Sequence, residues 1–159
     1  MKDNEIRVLA VRQPWASLIV EGLKTLEVRP RNTQIRERVA IYASYKEDNA
    51  HNEWFINLIY RMQDSKVISR NERDKIEMVD RRHGYILGTV ELTGTEQIDN
   101  QHFYDEPFVN HHLCVPLNKD SAPKYYWKLA NPVKFEKPLR YNPPKGAVVW
   151  SKTVLPEGY

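Results

Sequence analysis

QPWASLIVEGLKTLEVR, residues Gln13 to Arg29, packs a helix, its stop and a strand into seventeen residues. Pro14 suits a first helical position, where its missing N–H is not needed, and Gly22 suits a left-handed cap at the far end. Trp15, Leu18 and Ile19 fall at i, i+3 and i+4, which gives the helix Pro14–Glu21 an oily face able to dock on a sheet. After the cap, Leu26 and Val28 alternate with Thr25, Glu27 and Arg29, the period of a half-buried strand over Lys24–Arg29. That strand aims a hydroxyl, a carboxylate and a guanidinium to one side, with Lys24 at the turn. Strict alternation sends Lys24 to the opposite face from Glu27, unless the lysine turns inward at the strand's twisted start.

The rest of the chain extends this β-rich start. Ile6–Val11 reads as a strand before the helix, and Val39–Ala43 (VAIYA) as a buried strand after it. Asp48–Gln63 shifts to helical spacing, with Trp54, Leu58 and Met62 four apart and Phe55 and Ile59 beside them. A further helix is expected from Asn71, as N-cap, through Ile76 and Val79. Gly84 restarts β structure, and Tyr85–Leu92 sets Ile86, Val90 and Leu92 against Leu87, Thr89 and Glu91. Tyr125–Phe135 and Ala147–Trp150 are the expected final strands, separated by a bend around Pro138, Pro143 and Pro144. Five or six strands with a few helices fit an α+β fold built on a small closed or nearly closed barrel.

Composition narrows the class. A chain of 159 residues can bury a core without staples, and four Trp with nine Tyr supply rings for packing or for base stacking. A net charge of +3 permits a polyanion partner without requiring one. The single Cys114 excludes a disulfide framework and agrees with a reducing compartment. No apolar run reaches the roughly 20 residues that span a bilayer, and MKDNEIRV lacks a signal-peptide core, so a cytoplasmic protein without a membrane partner is expected. His102, His111, His112 and Cys114 fall close together, but adjacent histidines diverge on a strand and no C-x-x-C or H-E-x-x-H spacing occurs, so no metal and no cofactor is expected. A phosphate-binding glycine loop and a G-x-S-x-G elbow are absent too.

The Gln-Pro-Trp helix start and the G-x-K-T-x-E-x-R run of Gly22, Lys24, Thr25, Glu27 and Arg29 resemble the opening of the ASCH domain. That family belongs to the PUA-like superfamily of small β-barrels linked to RNA. Trp127, Leu129, Asn131, Pro132, Pro138, Gly146 and Trp150 are similar to its closing strands, and Tyr85–Leu92 fits its central strand. The resemblance implies a single domain over residues 1–159, a PUA-like barrel of about five or six strands with flanking helices, and a helical insertion at 46–82.

Two chemistries follow from the resemblance. In the first, the domain binds RNA or another single-stranded nucleic acid, with ribonuclease or RNA-processing activity as an extension. Lys24, Arg29, Arg31, Arg36, Arg38 and Lys46 would meet the backbone, and Trp15, Tyr45 or Trp150 would stack on bases. In the second, it resembles the small bacterial amidohydrolases that deacetylate N4-acetylcytidine, a modified pyrimidine nucleoside. Lys24 matches the lysine of that branch, but Glu27 stands where its nucleophilic threonine is expected, with Thr25 adjacent and Glu106 the nearest counterpart of its distant glutamate. An attacking water activated by Glu27 would then replace the hydroxyl. A third reading is a non-catalytic interaction domain, in which the three charges form a surface ion pair on an edge strand.

Overall fold

A computed structural model of the chain describes residues 4–47, 52–98, 113 and 124–159. The elements run β1 (Glu5–Gln13), α1 (Trp15–Val20), β2 (Leu26–Arg29), β3 (Arg38–Glu47), α2 (Asn52–Asp64), α3 (Arg70–Glu77), β4 (Tyr85–Ile98), β5 (Lys124–Arg140) and β6 (Trp150–Val154). All six strands join one mixed sheet in the order β2-β5-β4-β3-β1-β6. Among the described residues only β1 and β3 pair in parallel, as Val8 to Ala40 and Val11 to Ala43, while the other neighbours are antiparallel. The expected α+β architecture with six strands is therefore present, but the hydrogen bonding among the described residues leaves β2 and β6 as edges and does not close into a ring.

Burial explains the apolar runs. Leu9, Val11, Val39, Ile41 and Ala43 belong to one core cluster, and their sequence neighbours Val8, Ala40 and Tyr42 to another on the opposite face. A strand covered on both sides needs a nearly continuous apolar run, which is what VAIYA is. The first cluster also takes in α1 and residues Phe55, Leu58, Ile59, Met62 and Ile76 of α2 and α3, so these helices help build the core. Trp54's side chain lies outside the described residues.

Several local expectations are corrected. Helix α1 is buried on every side, not one, because it lies against β1, β3, β4 and β5 together. Pro14 occupies the N-cap, one position before the helix, and its peptide bond to Gln13 is cis. Ser69 caps α3 in place of Asn71: its hydroxyl accepts from Glu72 N at 3.1 Å, while Glu72 Oε2 accepts from Ser69 N at 2.7 Å. Ser-x-x-Glu is a capping box, and it starts the helix earlier than an isolated asparagine would. The last strand runs from Trp150 to Val154, so Ala147 precedes it. Ile86 packs in the second cluster, whereas Leu87, Val90 and Leu92 pack in the first. The alternation breaks because the register of β4 against both neighbours shifts near Gly88.

These irregularities bend the sheet. Asn131 adopts a left-handed φ of +49° within β5, and the β4–β5 register shifts between Ile86 and Gly88, Thr89 and Glu91, and Leu92 and Gly94. The curl is deep enough for residues of opposite ends to touch. Arg29 Nη2 of edge strand β2 donates to the Ala10 carbonyl of β1 at 2.8 Å, and Trp127 of β5 stacks on Trp150 of β6.

Candidate functional site

The turn after α1 is a Schellman motif. Leu23 N donates to Leu18 O and Gly22 N to Ile19 O, both at 3.0 Å, with Gly22 at φ +77°. Lys24 N adds a third bond, also 3.0 Å, to the same Leu18 carbonyl. Glycine tolerates that φ because it has no Cβ, so Gly22 lets the chain double back and carry Lys24 inward.

Lys24 is 4 % exposed. Its Nζ lies 5.2 Å from the centre of the Trp15 ring and donates to the Leu113 carbonyl at 3.3 Å. Strand β2 begins only at Leu26, so Lys24 escapes the alternation that would have turned it outward. Trp15 is itself buried, with Phe55 packed edge-on at 5.3 Å.

Glu27, 8 % exposed, sits opposite Trp127 in the β2–β5 ladder. Lys24 and Glu27 thus border Trp15, Leu113 and Trp127, members of one core cluster. Glu27 Oε1 lies 3.8 Å from Arg29 Nε, too far for a hydrogen bond. Glu27 Oε2 is buried and has no hydrogen-bond partner among the described residues, and neither has Arg29 Nε. Arg29 is anchored by its bond to Ala10 O, with its guanidinium 5.7 Å from the Trp127 ring centre. Trp127 lies nearly parallel to Trp150, at 5.7 Å and 13°, and donates its indole N–H to Arg31 O at 3.0 Å.

The other sequence candidates scatter around this centre. Thr25 is exposed and precedes the strand, so it does not share the side of Glu27 and Arg29; its carbonyl accepts from Leu129 N. Arg31 and Arg36 are exposed, and Arg36 is tied to the carbonyls of Thr33 and Ile35 and to Thr95 Oγ1. Thr95 pairs with Trp127, which places Arg36 beside the same row. Arg38 is engaged by Thr89 Oγ1, Asn131 O and Glu91. Trp150 is half-buried. Tyr45 (62 % exposed) and Lys46 belong elsewhere: Tyr45 lies against Gly84, next to the row Ala43–Tyr85–Arg140. Ten residues of β4, about 33 Å of strand contour, separate that row from Thr95. Glu106, His102, His111, His112 and Cys114 lie outside the described residues.

Sequence reasoning missed one contributor to the site and two interaction centres outside it. A tryptophan in an alternating strand reads as core, yet pairing with Glu27 and contact with Arg29 put Trp127 in the site. Gln13 was read only as part of a helix start, yet it is fully buried, bonding the Ser17 hydroxyl and backbone N–H as well as Arg82 O. Tyr85 carries the guanidiniums of Arg82 and Arg140 at 5.6 and 5.5 Å from its ring centre. Near it, burial pushes the Tyr42 hydroxyl above its ordinary range, with Tyr45 and Tyr141 adding to the effect.

The ASCH domain family model matches residues 9–139. This chain belongs to the ASCH domain family. Among solved structures it is similar to ASCH from Zymomonas mobilis, with 15 % identity, a TM-score of 0.54, and coverage of 95 % of this chain and 87 % of that one. A serine-to-alanine mutant of the Zymomonas protein gives 15 % identity and a TM-score of 0.51, covering 99 % and 92 %. At such identity the likeness establishes the fold, and this ASCH domain shares it. Curated proteins yield no match. No helix among the described residues is long and apolar enough to cross a membrane.

Proposed function

We propose that this ASCH domain binds single-stranded RNA through the site centred on Lys24, Glu27 and Arg29. The observation that carries the reading is the burial of a lysine and a glutamate, 4 and 8 % exposed, within three residues of chain. Burying a charge is unfavourable unless its surroundings repay it, and an apolar pair would pack the same cluster more cheaply. Charges held inside at such cost are typical of sites. Exposed Arg31 and Arg36 would meet phosphates, and the half-buried Trp150 would stack on an unstacked base. Family membership supports the same class of ligand, since ASCH domains are generally thought to bind RNA or nucleic acid.

The test compares wild type with Lys24→Met, which keeps the stem against Trp15, on labelled single-stranded RNA, single-stranded DNA and N4-acetylcytidine. RNA affinity should fall about tenfold in the variant, the loss expected for one charged hydrogen bond. With the phosphate contacts of Arg31 and Arg36, the slope of log K on log salt should be about −1.4. RNA binding untouched by the substitution would refute the site. Acetate release from N4-acetylcytidine with little oligonucleotide affinity would replace this reading with the amidohydrolase one.

A further inference from the structure

We infer that Glu27 is the specificity-determining group of the site: its buried Oε2 accepts a hydrogen bond from the exocyclic amino group of a base, selecting cytosine and adenine over uracil. The inference rests on the nucleic-acid reading above and names the ligand edge that the site recognises.

Three observations lead there. Glu27 Oε2 is buried without a partner among the described residues, and native proteins seldom leave such an acceptor unused. Arg29 does not serve it. An ion pair built for the fold would be a close, forked one, whereas Arg29 Nε stands 3.8 Å from the other oxygen and is itself unsatisfied. Its Nη2 is committed to the Ala10 carbonyl, which holds the guanidinium where it is. Finally, Glu27 pairs with Trp127 across the ladder, and the buried Trp127, in contact with Arg29, stacks on the half-buried Trp150, so a base stacked beside Trp150 would approach the row that carries Glu27.

Charge selects the partner. A carboxylate repels phosphate, so an acid at this position serves a hydrogen-bond donor and not the backbone. The amino groups of cytosine and adenine are such donors, and a carboxylate accepting from cytosine N4 is an established pairing. Uracil's N–H is flanked by two carbonyl oxygens that a carboxylate repels. Guanine's adjacent donors call for both carboxylate oxygens, and Oε1 here faces Arg29.

The test measures anisotropy of oligo-C, oligo-A and oligo-U of about 12 nucleotides, a length that covers one small binding module. Wild type should bind oligo-C and oligo-A about tenfold more tightly than oligo-U. In Glu27→Gln the amide can donate to uracil O4, so the preference should collapse while oligo-U affinity holds or rises. A merely structural glutamate would instead lower all three together. Equal wild-type affinities overturn the inference and leave the binding function intact; the wild-type comparison needs no variant to fold. Ribo-U bound over deoxy-U without base preference would assign Glu27 to a ribose hydroxyl and overturn it as well. No binding to any oligomer defeats the inference and the proposed function together.

Discussion

Substituting Gly88 by alanine tests the bend that brings β5 to the site. A Cβ added at Gly88 would stand 2.2 Å from Val133 O, 3.0 Å from Lys134 Cα and 3.1 Å from Val133 C, all of them backbone atoms. Since carbon–oxygen contacts across strands settle at about 3.3 Å, the two strands would have to part by about 1 Å. Overpacking of this kind costs about 1–3 kcal/mol, at the upper end here because no side chain can swing aside. A stiffer unfolded chain returns about 0.4–1 kcal/mol, so the net loss should be about 2 kcal/mol. Gly94→Ala, in the same strand, is the control: its Cβ would meet only Lys128 Cδ at 3.7 Å, an ordinary contact. That variant should be unchanged or slightly more stable. With a urea slope of about 2 kcal/mol per molar, the two midpoints should differ by about 1 M. Coincident midpoints would refute the claim that close backbone approach at Gly88 sets the β4–β5 crossing.

Other consequences are nearer the periphery. Ser69→Ala removes one half of the capping box of α3 and should cost about 1 kcal/mol in urea denaturation at neutral pH. A hydrogen bond from Arg82 holds the Asp80 carboxyl below its ordinary range. A depressed carboxylate contributes stability above its unfolded pKa and loses it as pH falls through the folded one, so Arg82→Gln should lower stability slightly at neutral pH, leave the most acid values unchanged and thereby make the acid decline shallower. A superimposable acid limb in that variant would show the pair to be inconsequential.

Much of the candidate site could be read along the chain, because its signals are local. Gly22 after an apolar helix, Lys24 at the turn and Glu27 two residues before Arg29 all lie within one short segment. Trp127 was opaque because a tryptophan in an alternating strand reads as core, and only its pairing with Glu27 distinguishes it. Tyr45 and Lys46 read as neighbours of the site because they follow a buried strand; β3 instead carries them to the Gly84 end of the sheet.

Sequence alone determined the order of elements, the capped turn after α1 and the two-sided burial of VAIYA, since each depends on spacing within a few residues. Tertiary structure alone decided which way the charges face. Lys24 meets a carbonyl 89 residues away, Arg29 one 19 residues back on another strand, and Trp127 stacks on Trp150 only because the sheet curls. Periodicity specifies the face of a strand, but what covers that face is set by packing between distant segments.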